Sequence, residues 1–126
     1  MADTNTQTRG TPRGLTSFSE FWPYYLREHA LPATRALHFF GTGLGLTLLV
    51  MALATQTWWL LAVAVVSGYA FAWIGHVAVE RNRPATFTYP AWSLLGDFRM
   101  FGLWVVGRLA PELRQSGVAT GSDDKA

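Results

Sequence analysis

Two long stretches of the chain carry no formal charge. Residues 36–55 form one and residues 58–79 the other. A bilayer core ~30 Å thick is crossed by roughly 20 helical residues, so each stretch is long enough to span it. Only Gln56 and Thr57 separate them, and a connection that short forces two helices to run antiparallel as a hairpin. Burial in a soluble bundle is the competing account. It fails because the chain has too little polar helix to wrap two wholly apolar ones.

The flanks show a helical period as well. Ser17-Phe18-Ser19-Glu20 reads as an N-cap with an acidic first turn, and Phe18, Phe21, Trp22, Tyr25 and Leu26 continue as an aromatic stripe at helical spacing. Such a helix suits the membrane interface and ends near His29, before Pro32. Downstream, Arg81-Asn82-Arg83-Pro84 breaks the second span. Residues 84–90 read as an extended connection, and Pro90 opens a last apolar helix reaching about Arg114. The pattern leaves open whether that helix crosses the membrane. The expected fold is all-α: an integral membrane helical hairpin with an N-terminal interfacial helix and a C-terminal apolar helix, about four helices in all. The helical domain is expected over 17–114, with the polar stretches 1–16 and 115–126 as disordered tails.

Composition supports a membrane setting. Only 14% of residues are charged, against about 25% in ordinary soluble domains. The absence of cysteine excludes disulfides, thiolate metal sites and cysteine nucleophiles. A pI near 9.4 raises nucleic acid as a partner, but the basic residues form no run, and that partner is rejected. They instead flank the hairpin: Arg9, Arg13, Arg27 and Arg35 precede it, and Arg81, Arg83, Arg99, Arg108, Arg114 and Lys125 follow. By the positive-inside bias both hairpin ends face the cytoplasm and the Thr55–Thr57 tip lies across the membrane.

Against this apolar background the ionisable groups stand out. His38 lies near the start of the first span and His76 near the end of the second, with residue 57 midway between them. Folding at that tip brings the two imidazoles to one depth. Gly41 and Gly45 share a face with His38, and Ala64, Gly68, Ala72 and Gly75 share one with His76. Small-residue faces are where membrane helices approach closely, so both rings point toward protein. Glu80 follows His76 by one turn on the same face, and His29 ends the interfacial helix at the same surface. Intramembrane ionisable groups are functional-site candidates. Three imidazoles and a carboxylate without sulfur suit Fe(II), Zn(II) or Mn(II). Asn82, Asp97 and Arg99 form a second rank, placed to orient ligands or to hold a carboxylate substrate. Two other accounts remain at this point: a haem between His38 and His76 in an electron-transfer protein, and a non-catalytic scaffold whose polar cluster fastens helices together.

Several segments also resemble a known family. Phe21-Trp-Pro-Tyr-Tyr-Leu-Arg-Glu-His29 and Leu37-His-Phe-Phe-Gly41 resemble the opening of the DUF962, or Mpo1-like, family. Trp73-Ile-Gly-His-Val-Ala-Val-Glu-Arg-Asn-Arg-Pro-Ala-Thr-Phe87 and Trp92-Ser-Leu-Leu-Gly-Asp-Phe-Arg-Met100 are similar to its later motifs. The likeness covers roughly residues 17 to 101. It implies a non-haem, Fe(II)-dependent dioxygenase acting on 2-hydroxy fatty acids in α-oxidation, with the chain shortened by one carbon. It implies His29, His38 and His76 as iron ligands, and dioxygen, a fatty-acyl substrate and the lipid bilayer as partners. Glu80, Arg81 and Arg83 are then the candidate catalytic and substrate-pairing groups, with Arg35 as a further candidate for the substrate carboxylate. The chain looks like a compact bacterial member, which places it in an inner membrane. Homo-oligomerisation stays open.

The charge asymmetry sets a first test. Topology reporters fused at residue 56 and at the C-terminus are expected to give opposite readouts, and matching readouts would rule out the hairpin.

Overall fold

A computed structural model describes residues 14–120. Five α-helices make up the described chain: α1 Phe18–Arg27, α2 Pro32–Thr55, α3 Trp59–Ile74, α4 Pro90–Val105 and α5 Leu109–Gln115. A π-helical turn, Gly75–Glu80, extends α3, and a short 3-10 turn, Ala85–Phe87, lies in the connection to α4. Helix α1 begins as expected, with the Ser17 hydroxyl accepting the Glu20 N–H at 3.2 Å. Helices α2 and α4 open on Pro32 and Pro90, where the missing N–H costs nothing. The hairpin turns at Gln56, whose left-handed φ of 53° ends α2.

The fold divides into two parts. Helix α2, and α3 with its π turn, are each long and apolar enough to cross a membrane, and only 17% of either apolar window is buried within the protein. A core helix of a soluble protein would be mostly covered. Here Val50, Leu53, Trp59, Val65 and Val66 all stand exposed, an apolar surface of the kind that lipid covers. The hairpin seam is made of small residues. A Cβ added to Gly41 would lie 2.9 Å from the Phe71 Cβ and 3.1 Å from the Gly68 carbonyl oxygen, and one on Gly45 would lie 3.2 Å from the Ala64 carbonyl.

The second part caps the open end of the hairpin. Phe21, Tyr25 and Leu26 of α1 are buried with Met100 of α4, Leu109 and Leu113 of α5, and Val118 beyond it. The aromatic stripe thus faces α4 and α5 rather than a lipid surface. The Trp22 indole N–H donates to Glu112 at 3.0 Å, and the Arg99 guanidinium lies 4.6 Å from the Trp22 ring centre. Gly96 lets α4 approach the Tyr25 ring, which a Cβ would meet at 3.0 Å.

Three details refine the sequence reading. The last helix is two helices, because the chain leaves α4 through Gly107 at φ 74° before α5 begins. At 16 residues, α4 rises about 24 Å, short of a full span. Within the tail expected from residue 115, Ser116, Val118 and Thr120 are buried. The remainder of that tail, 121–126, and most of the expected N-terminal one, 1–13, lie outside the described residues.

The seam carries a prediction. Gly41→Ala should destabilise the protein by about 1–3 kcal/mol, the range for overpacking a tight contact. Gly43→Ala, whose Cβ would meet only the Phe101 ring at 3.7 Å, should leave stability nearly unchanged. Thermal unfolding of both variants in detergent reads the difference.

Candidate metal centre

His29 sits in the turn just after α1, His38 in the second turn of α2, and His76 in the π turn after α3. The fold brings all three together and buries them, at 0%, 4% and 3% exposure. Ring centres are 4.3 Å apart for His29 and His38, 4.5 Å for His29 and His76, and 5.0 Å for His38 and His76, with each pair near perpendicular. One ring nitrogen from each lies within 4.8 Å of the other two.

Hydrogen bonds decide which nitrogens those are. His29 Nδ1 lies 2.6 Å from the Tyr25 carbonyl oxygen, and His38 Nδ1 3.2 Å from the Thr34 carbonyl oxygen. Carbonyl oxygens only accept, so both Nδ1 atoms carry the proton. His76 Nδ1 meets the Asn82 side chain at 2.7 Å. The amide's Nδ2 donates to the Glu28 carbonyl at 2.9 Å and to the Glu28 carboxylate at 2.6 Å. The Asn82 atom turned to His76 is therefore the amide oxygen, and His76 too carries its proton on Nδ1. Each neutral imidazole is left with a bare Nε2.

His29 Nε2 and His38 Nε2 face each other at 3.0 Å. With both tautomers fixed, two lone pairs oppose one another, an arrangement that is stable only with a positive charge between or beside them. Two neighbouring nitrogens bound to one ion at about 2.0–2.1 Å in a tetrahedral or octahedral arrangement lie about 2.8–3.4 Å apart. The donor set suits a divalent ion, and the His29–His38 spacing matches that of two of its ligands. The same packing disfavours haem: with the His29 ring within 4.5 Å of both His38 and His76, no macrocycle fits between the supposed axial ligands.

A surrounding layer holds the rings. The Tyr25 ring stacks on His29 at 4.2 Å. The Arg35 guanidinium donates from Nη1 to the His29 and Ala30 carbonyls, both at 2.8 Å, and fixes the turn from which His29 projects. Burial, assisted by the neighbouring imidazoles, pushes His29 well below its ordinary pKa, which keeps it neutral and available as a ligand. Asp97 lies 3.7 Å from His38 Nε2 and accepts a hydrogen bond from the Tyr25 hydroxyl. Burial raises the Asp97 carboxyl to about 7, with that hydrogen bond acting in the opposite direction.

The structure separates the remaining candidates from the cluster. Glu80 accepts the Leu31 N–H, capping the start of α2 from a different helix, and its carboxylate is not among the converging ligand atoms. Arg81 and Arg83 are exposed; Arg83 lies over the Phe87 ring at 5.3 Å. The reason is local. Arg81 adopts a left-handed φ of 59°, and this reversal brings the Asn82 N–H to the His76 carbonyl at 3.0 Å and its side chain to the ring. The position expected of Glu80 is thus filled by Asn82. Arg99 pairs loosely with Glu112 at 3.6 Å. Glu28, Tyr25 and the backbone clamp by Arg35 have no signature in the spacing that would have singled them out.

Loss of a partner that fixes an imidazole tautomer typically costs about 10–100-fold in metal affinity. Asn82→Ala should weaken metal binding by that factor in a competition titration against a chelator. Glu80→Gln keeps an oxygen able to accept from Leu31, so it should retain metal and lose about 1 kcal/mol of stability at most. Equal metal loss in the two variants would contradict these assignments.

Residues 15–109 match the family model described as 2-hydroxy-palmitic acid dioxygenase Mpo1-like. No curated protein and no solved structure matches the chain. The matched segment contains the three histidines, Asn82 and Asp97 and takes in well over half of the sequence, so the protein belongs to the Mpo1-like family.

Proposed function

We propose that the protein is a membrane-embedded non-haem Fe(II) dioxygenase that shortens 2-hydroxy fatty acids, or closely related lipids, by one carbon. Its balance closes with dioxygen as the only oxidant: the 2-hydroxy acid and O2 give the acid one carbon shorter, carbon dioxide and water. An iron ion held by His29, His38 and His76 would supply the one-electron chemistry that dioxygen requires.

The observation that carries this reading is a groove with His38, one of the three clustered histidines, at its head. A cavity of about 300 Å³ runs along α2 and α3 from His38 and Asp97 to Leu49 and Leu61, and its walls are otherwise almost wholly apolar. From His38 to Leu49 the helix rises about 16 Å. At roughly 1.3 Å per methylene, from C–C bonds of ~1.5 Å, that length takes about a dozen carbons. The acyl chain lies in the groove and the polar head meets the ligand cluster. Asp97, held by Tyr25, accepts the hydrogen of the 2-hydroxyl group. Arg81 and Arg83, exposed at the end where both spans emerge, attract the carboxylate from the water-facing side. Glu80 serves the site by tying the start of α2 to the π turn that bears His76. With its basic residues gathered at this end, the site opens toward the cytoplasm of a bacterial inner membrane.

Protein purified without oxygen and loaded with Fe(II) should consume dioxygen when given 2-hydroxyhexadecanoate. Alanine at His29, His38 or His76 should remove both bound iron and oxygen uptake. Leu49→Trp, which blocks the far end of the groove, should keep iron and shift the preferred chain length downward by a few carbons. Iron-loaded protein that ignores every 2-hydroxy acid would overturn the reaction, and a scaffold would bind no iron at all.

A further inference from the structure

A second cavity lies on a different face of α2. It encloses about 610 Å³ between the start of that helix and α4–α5, and Arg35, Ala36, Phe39, Phe40, Trp104 and Leu113 are among the residues that line it. At 100° per residue, these α2 positions face on average roughly 140° away from His38 and Gly45. The cavity is therefore not an arm of the groove described above.

Its one charged wall is Arg35. That side chain is only 8% exposed, and its guanidinium uses Nη1 alone, on the His29 and Ala30 carbonyls. A guanidinium has five N–H donors in a fixed fork, so the edge formed by Nε and Nη2 keeps its donors. Carbonyl oxygens do not neutralise a charge. Among the described residues no carboxylate lies within 4 Å of Arg35. Glu80 is near enough to act on it electrostatically but forms no ion pair with it, its carboxylate accepting the Leu31 N–H instead. Helix α2 adds to the imbalance, since its first turn holds no acidic residue and its N-terminal pole is positive. Among the described residues this cation has no ion pair, only the longer-range field of Glu80. It stands in a cavity lined otherwise by apolar side chains and Thr120, at the depth where the span enters the membrane and lipid phosphates lie.

We infer that this cavity binds an anionic phospholipid, its phosphate on the free edge of Arg35 and its acyl chains against Phe39, Phe40 and Trp104. A guanidinium edge offers two parallel N–H bonds to two oxygens of one anion. The cavity has twice the volume of the groove, which suits a two-chain lipid better than a single-chain acid. The stack of Phe39 on Trp104, with ring centres 4.5 Å apart and planes 10° apart, gives a flat wall for a chain. This site does not depend on the metal or on the reaction proposed above.

The full chain can be reconstituted in phosphatidylcholine vesicles containing minor, equal amounts of phosphatidylglycerol and oleic acid. It is then re-extracted in a neutral detergent, and the lipid that stays bound is quantified by mass spectrometry. About one phosphatidylglycerol per chain is expected, enriched roughly tenfold over its share of the vesicle, as a bidentate charge-assisted contact predicts. Arg35→Gln should bring retention down to the bulk proportion. Because Arg35 also holds the His29 turn, Ala36→Trp provides a second variant. It fills the cavity from an exposed position, and should abolish the enrichment while the thermal midpoint stays near that of the parent. Retention in proportion to the vesicle, oleate retained in place of phosphatidylglycerol, or undiminished enrichment in a folded Ala36→Trp variant would each overturn the inference.

Discussion

Three N–H groups, each donated from an imidazole Nδ1 to an oxygen that can only accept, organise the site. They fix the tautomers of His29, His38 and His76 and so turn three bare Nε2 atoms toward one another. Two of the accepting oxygens are backbone carbonyls of the residue four positions earlier. Each of those imidazoles is therefore oriented by the helical turn that carries it. The third is a side chain, and it needs its own support from both oxygens offered by Glu28. That asymmetry makes the π turn and the reversal at Arg81 necessary. Without them no acceptor would stand beside His76, and its ring would be free to rotate or to change tautomer.

The same cluster couples the two parts of the fold. His38 and His76 belong to the hairpin, where close helix approach depends on Gly41, Gly45 and Gly68. His29 belongs to the cap, where α1 is held by aromatic packing against α4 and α5. Arg35 and Asn82 bridge the two by reaching the backbone of residues 28–30. A cation among the histidines would draw the cap onto the hairpin, and its binding energy would appear as stability of the whole protein.

Much of this was legible in the sequence. The absence of charge across two spans, with two residues between them, sets the hairpin, and the symmetric placing of His38 and His76 about residue 57 sets their common depth. Small-residue faces pointed the two rings inward. Legibility stopped where the chain leaves ideal helical geometry. Glu80 stands one α-helical turn after His76 in sequence, but π winding and a non-glycine residue at positive φ gave its place to Asn82. Neither feature has a local signature in the residues Glu80-Arg81-Asn82-Arg83. The aromatic stripe of α1 has the composition of an interface helix and the packing of a core. Periodicity identifies the buried face and leaves open what buries it. The break at Gly107 could have been anticipated from glycine alone; Asp97 stood out by its charge, but its link to Tyr25 could not be foreseen, since it follows from how α4 lies across α1.

One consequence concerns membranes of different thickness. The far end of the hairpin is Thr55, Gln56 and Thr57 beside Trp58 and Trp59, polar or amphipathic but uncharged, while among the described residues Arg27, Arg35, Arg81 and Arg83 flank the other end. A helix pair anchored at one end only absorbs a thickness mismatch at its loose end, where withdrawing a few neutral side chains is cheap compared with dragging arginines into hydrocarbon. Thinning or thickening the bilayer would therefore bare or bury the tip. The histidines, a turn or two from the anchored end, would keep a constant distance from the water surface.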